Sequence, residues 1–173
     1  MQISKRLEAV ASFVEQGSVI ADVGCDHGYI PIYLYQKGMI PKAIAMDVNK
    51  GPLERAEIHR LEKYIQTRLS DGAEALLPNE ADSILIAGMG GELILHILTE
   101  GELVCSTAKE LILQPQSELA HFRRFLHQKG YCIEQEKIVL EDGKYYPMMK
   151  VRKGRESYAR EIDYRFGKGL LEE

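Results

Sequence analysis

Four short stretches of this chain end an apolar run in carboxylates or glycines. Asp22-Val23-Gly24-Cys25-Asp26-His27-Gly28-Tyr29 follows Val19-Ile20-Ala21, and Asp47 closes Ala43-Ile44-Ala45-Met46. Asp71-Gly72 follows Thr67 to Ser70, and Gly88-Met89-Gly90-Gly91-Glu92 closes Ser83-Ile84-Leu85-Ile86-Ala87. An ionised carboxylate accepts from hydroxyl, amino or ammonium groups, and a glycine lets bare peptide approach a ligand. The first stretch reads D-x-G-x-x-x-G and not G-x-G-x-x-G, so the pyrophosphate-binding fingerprint of dinucleotide enzymes is absent. An acid just ahead of the first glycine suits a ligand carrying a positive group, such as an amino-acid ammonium. Asp47, 25 residues after Asp22, is placed to take the two hydroxyls of an adenosine ribose. Asp71 can accept from an adenine amino group, and the turn at Gly88, Gly90 and Gly91 leaves backbone open beside it. Together these stretches point to S-adenosylmethionine (SAM) in preference to NAD.

Such residues act together only if strands and helices bring them to one edge. Ser4 is placed to cap a helix with Leu7, Val10, Phe13 and Val14 on one face, ending near Gly17. A second helix is expected from Tyr29 to Lys37, with Pro31 in its first turn and Gly38 past its end. Pro52 opens a third, on which Leu53, Ala56, Leu61, Tyr64 and Ile65 approximate one face. Leu93, Ile94, Ile97 and Leu98 mark a fourth that ends by Gly101. Ser117 caps a fifth, with Leu119, Phe122, Phe125 and Leu126, stopped by Gly130. Between them lie the four apolar strands and a fifth from Glu110 to Leu113, closed by Gln114-Pro115-Gln116. Ile133–Leu140 and Tyr145–Val151 flank Glu141-Asp142-Gly143-Lys144, a hairpin with Asp-Gly at its turn. Strands alternating with helices at this spacing predict an α/β chain, a parallel sheet with helices on both faces and a closing antiparallel hairpin. In such a sheet ligands sit beyond the carboxyl ends of the strands, where strand order reverses. Away from those ends, Arg123 and Arg124 read as a solvated helix edge. His96, His121 and His127 fall on helices without a partner pattern, and Cys25 reads as a small packing residue.

The chain has 173 residues, 45% hydrophobic and 28% charged, which fits one globular domain and excludes disorder and coiled-coil extremes. Its longest apolar run, Ser83 to Met89, is far short of the roughly 20 residues that span a bilayer. Basic residues near Met1 are followed by no apolar stretch, so no secretory signal is expected. Cys25, Cys105 and Cys132 are odd in number and widely spaced, which argues against a disulfide framework or zinc site and for a reducing cytosol. The net charge is −4, yet Lys150 to Lys168 holds seven basic residues against three acidic ones, +4, so the remainder carries −8. That basic tail is either a solvated mixed-charge face or part of an RNA-binding surface.

The segments Ser4-Lys5-Arg6-Leu7, Ala21 to Leu34 with its D-H-x-Y-I-P core, Val48-Asn49-Lys50-Gly51-Pro52, Ala87-Gly88-Met89-Gly90-Gly91 and Leu113-Gln114-Pro115 resemble the TrmK family. These are bacterial SAM-dependent tRNA adenine-N1-methyltransferases acting at tRNA position 22, and the resemblance runs from about Ile3 to Leu171. It implies a class I (Rossmann-like) methyltransferase sheet over residues 1–154. It also makes 155–173 a basic tail, the start of a helical C-terminal extension that this chain lacks. Carried over position by position, it assigns Asp22, Gly24, Asp47, Asp71, Gly88 and Met89 to SAM, with the flanking Val48, Gly72 and Gly90. It assigns Lys5, Arg6, His27, Tyr29, Gln114 and Pro115 to the substrate side. It implies tRNA as partner, no metal, no membrane, a cytoplasmic setting and compatibility with a homo-oligomer.

Adenine N1 carries its own lone pair, so attack on a methyl sulfonium needs alignment more than a base. Asp26 is the candidate to stabilise the charge that passes onto the ring, with backbone carbonyls of the Gly-rich turn as rivals. Tyr29 is placed to stack on the base, and His27 either collects a proton or orients Asp26. No Asn-Pro-Pro-Tyr-like turn is present, which favours a ring nitrogen over an exocyclic amine. Two alternatives stay open: methylation of another RNA base, and a SAM-binding module inactive without its C-terminal domain.

Overall fold

The computed structural model describes residues 3–25 and 28–172. Helix α1 (Lys5–Ser12) leads into strand β1 (Ile20–Val23), α2 (Tyr29–Gln36), β2 (Ala43–Asp47), α3 (Lys50–Leu53), α4 (Ala56–Arg60) and β3 (Ile65–Leu69). Then follow β4 (Ser83–Met89), α5 (Gly91–Glu100), α6 (Glu102–Cys105), β5 (Glu110–Pro115) and α7 (Leu119–Gln128). The hairpin β6 (Tyr131–Glu141) and β7 (Lys144–Lys153) and two short helices, α8 (Glu161–Phe166) and α9 (Lys168–Leu171), complete the order. The strands form one sheet in the order β3-β2-β1-β4-β5-β7-β6. The first five are parallel, and β7 joins β5 antiparallel with β6 outside it.

Alternate residues along each strand serve opposite faces. Ala21, Val23, Ile84, Ile86, Leu111 and Leu113 meet Ile94 and Leu98 of α5 and Phe122 and Leu126 of α7. Ile20, Leu85 and Ile112 face the other way, onto Val10 of α1, Ile30 and Ile32 of α2 and Ile58 of α4. The central strands are apolar on both sides because both sides are covered, as the sequence pattern predicts.

Ser4 caps α1 as expected, its Oγ accepting from the Leu7 N–H at 3.2 Å. This cap aims the first turn, and with it Arg6, at the strand ends. Ser4→Ala is expected to lower stability by about 1 kcal/mol, and Ser4→Asp to restore most of it, in chemical denaturation.

Four expectations need correction, the first being Ser117: Glu118 holds the cap position of α7, and Ser117 Oγ accepts the Gly91 N–H at 3.0 Å instead. The helix from Pro52 to Ile65 is broken: Arg55 is extended between α3 and α4, and β-branched Ile65 already pairs with Ala43 as the first residue of β3. Arg123 is not at a solvated edge. It is 1% exposed and ion-paired to the equally enclosed Glu136 of β6, with 2.9 Å between Nη2 and Oε1. Its Nη1 donates to the Tyr164 carbonyl at 2.8 Å, and Gly167 packs against the pair. His127 also has partners: its ring nitrogens lie 2.7 Å from Glu156 Oε1 and 2.9 Å from the Tyr164 hydroxyl. Residues 155–171 are thus clamped onto α7 and β6 by polar contacts more than by apolar ones.

The same packing consumes much of the basic stretch. Lys150 pairs with Glu110, Arg152 with Glu134, Glu15 and Glu110, and Arg160 with Asp163. No disulfide joins Cys25, Cys105 and Cys132, and burial pushes the Cys105 thiol up to about 11, which leaves it unreactive near neutral pH.

Candidate functional site

Strand order reverses at β1, which has β2 and β3 on one side and β4 and β5 on the other. The carboxyl ends of β1, β2 and β4 border a cavity of about 390 Å³ at that point. Asp22 and Asp47 stand in its wall at 4% and 8% exposure, from neighbouring strands that are in register Asp22↔Ala45. Asp47 Oδ1 accepts the Asn49 N–H at 3.0 Å, which fixes the carboxylate at the strand end. Val48 follows it into the wall and is 58% exposed, an apolar side chain withdrawn from both cores.

The turn after β1 brings backbone to the cavity. Cys25 N–H donates to the Met46 carbonyl at 2.8 Å and Gly28 N–H to the Cys25 carbonyl at 2.9 Å. Gly24 adopts φ +68°, which other residues reach only with strain, and a Cβ there would lie 2.3 Å from Met89 Cε and displace the end of that side chain. Tyr29, at the start of α2, lines the cavity with the Arg55 guanidinium 4.5 Å from its ring centroid. Asp26 and His27 lie outside the described residues.

From α1, Arg6 reaches the cavity; Lys5 is exposed beside it and does not. Arg6 lies 5.2 Å from the centroid of Tyr146, and its backbone N–H donates to Glu141 Oε1 at 3.3 Å. Gln114 and Pro115 are buried at the end of β5, behind the cavity wall. Gly88 and Met89 line the wall itself, whereas Gly90 caps α5. Asp71 and Gly72 border a different depression, of about 240 Å³, with His96 and Glu100. The chain curls there because Ser70 Oγ donates to the Gly72 carbonyl at 2.8 Å and accepts the Ala75 N–H at 3.1 Å. Cavity residues to which the sequence assigns no site role include Leu7, Ile30, Asn49, Pro52 and Gln116. For Asn49 a signal exists, since Asp-x-Asn at a strand end forms a local turn.

Two buried carboxylates on adjacent strand ends, bare peptide at Gly24 and Gly88 and an apolar wall at Val48 suit a nucleoside with a cationic substituent. Sheet order, crossover pattern and cavity position define a class I, Rossmann-like methyltransferase domain. A family model described as "Methyltransferase domain" matches residues 3–149. The tRNA (adenine(22)-N(1))-methyltransferase of Bacillus subtilis is 39% identical over 158 residues, 89% of this chain and 66% of its own length. M. capricolum TrmK, solved with S-adenosyl-homocysteine, superposes with TM-score 0.86 at 30% identity, covering 97% of this chain and 76% of that one. A Streptococcus pneumoniae protein solved in complex with S-adenosyl-L-methionine gives TM-score 0.92 at 40% identity, with 99% and 82% covered. The chain belongs to the TrmK family. It spans 66% of the length of the curated Bacillus relative.

Proposed function

We propose that this chain transfers a methyl group from SAM to N1 of an adenine in tRNA, the one at position 22. The observation that carries the reading is the pair of buried acids, Asp22 and Asp47, beside glycine backbone at the switch point, in a chain 39% identical to an enzyme of that name. The residues fit SAM: Asp22 suits its ammonium, Asp47 its ribose hydroxyls, and Val48 offers an apolar face to its adenine. When bound, SAM supplies an electrophilic methyl on a sulfonium. Gly90 holds the Gly-rich turn in shape in this reading, while Asp71 and Gly72 border the separate depression beside α5 and lie outside the cavity.

Around the target base, Tyr29 offers a ring face, Arg6 a cation for a flanking phosphate, and Lys5 a second, exposed cation. Asp26 accepts charge developing on the base, and His27 orients it. Asp26→Ala is expected to lower the single-turnover rate more than it weakens SAM binding; equal losses in both would contradict this role. Residues 1–154 form the SAM-binding domain in this reading, with 155–173 as a basic tail. The setting is the cytoplasm, and among the described residues no helix is long and apolar enough to cross a membrane and no cluster suits a metal.

The test is incubation of unmodified tRNA with methyl-labelled SAM, followed by nucleoside mass spectrometry. Label in 1-methyladenosine mapped to position 22 is the expected result. Label in another base would favour the alternative substrate, and none at all would contradict the reading.

A further inference from the structure

Gln114 is fully buried, although its amide brings both donors and acceptors that need partners. Its ladder partner on β4 is Ala87, and the next pair is Met89 with Pro115, so β4 holds one residue more than β5 across this step. The extra residue is Gly88, at φ +76°. A bulged residue leaves the ladder, and its N–H must be satisfied from elsewhere. Gln114 Oε1 accepts that N–H at 2.9 Å and the Arg6 Nη1 at 3.4 Å. Neither donor can accept, which fixes the amide with its oxygen toward them and its Nε2 toward the Pro115 carbonyl at 3.4 Å.

Within a trans peptide the Gly88 N–H and the Ala87 C=O point in opposite directions. With the N–H held on the β5 side, the Ala87 carbonyl is turned to the β1 side. There the β1–β4 ladder has ended at Val23↔Ile86, and Ala87 and Gly88 line the cavity. Resting on the function proposed above, we infer that Gln114 is a positioning residue: it sets the Ala87 carbonyl to accept from the amino group of the target adenine and holds Arg6 at the cavity mouth.

In the transfer, the N1 lone pair forms the new N–CH3 bond as the S–CH3 bond breaks. The S–CH3 bonding pair returns to sulfur, leaving a neutral thioether. The adenine keeps both amino hydrogens and takes the positive charge, which spreads to that amino group and makes it a stronger donor. A carbonyl already fixed opposite it binds the transition state more tightly than the substrate.

The experiment compares Gln114→Met, which keeps shape and removes the acceptor, with Gln114→Glu, which keeps an acceptor for both donors. Single-turnover rate on tRNA, SAM affinity and hydrogen exchange at the Gly88 amide are read for each. In Gln114→Met the Gly88 amide should exchange at least about tenfold faster and the rate fall roughly 30-fold, with SAM affinity within about threefold of wild type. Gln114→Glu should return the rate to within about threefold of wild type. With wild type active, an unchanged rate in Gln114→Met, or a Gln114→Glu rate as low as that of Gln114→Met, would overturn the role of Gln114 alone. A wild-type chain that leaves tRNA unmethylated would instead overturn the functional reading and this role with it.

Discussion

Asp47→Ala is expected to weaken SAM binding by about 3 kcal/mol or more, roughly 150-fold, while the protein stays folded. Its carboxylate is 8% exposed, anchored by the Asn49 N–H, and stands in the cavity wall at the end of β2. Two ribose hydroxyls donating to an ionised acceptor are each worth about 1.5–3 kcal/mol, so losing both outweighs any other single polar contact available there. Loss of the Asn49 turn bond adds a folding cost of about 1 kcal/mol, a shift of a few degrees in Tm. Asp47→Asn keeps one acceptor oxygen and should fall between. Calorimetry showing wild-type affinity in Asp47→Ala would remove this residue from the cofactor site.

The second large effect is on stability. Arg123→Leu should destabilise the fold by about 3–5 kcal/mol, because it leaves the Glu136 carboxylate buried without a cation. It also frees the Tyr164 and Arg165 carbonyls that Arg123 holds at 2.8 and 3.3 Å. Burial already pushes the Glu136 carboxyl above its usual range despite the guanidinium beside it. Without Arg123 it should rise further. A carboxyl raised in the folded state costs stability once the pH exceeds its unfolded value, so the loss in Arg123→Leu should be largest near neutrality and shrink on acidification. The double variant Arg123→Leu with Glu136→Leu should recover most of the loss. Urea denaturation across pH, with Tyr164 environment as a local probe, would separate this from a general loosening. A pH-independent loss would argue against the unpaired carboxylate as its cause.

Much of the site was legible because it lies where apolar runs stop. The runs ending at Val23, Asp47 and Ala87 are buried strands, and parallel strands connected by helices deliver their carboxyl ends to one rim whatever the loops do. That logic puts Asp22, Gly24, Asp47, Gly88 and Met89 at one rim, and all five line the cavity there. It is weaker for Asp71, whose position depends on how the chain bends after β3, and the Ser70 turn carries it toward α5. The burial of Arg123 does have a signal in the sequence. Arg123 sits three residues before Leu126 and four after Leu119, inside the apolar stripe of α7. Its partner was hidden by a bulge between Ile133 and Gln135 that shifts the inward parity of β6 from odd positions to Glu136. Gln114 was legible as part of a motif, but its task was not, since a bulge at Gly88 is a property of two paired strands and not of either one.

In the proposed function the donor binds at the β1–β4 switch point. A crystal structure of this chain grown with S-adenosylhomocysteine tests it most directly. The predicted result is density in the cavity walled by Asp22, Gly24, Asp47 and Met89, the amino-acid end toward Asp22 and the ribose within hydrogen-bond distance of Asp47. Density at any other place on the molecule, or the opposite orientation in this cavity, would contradict it.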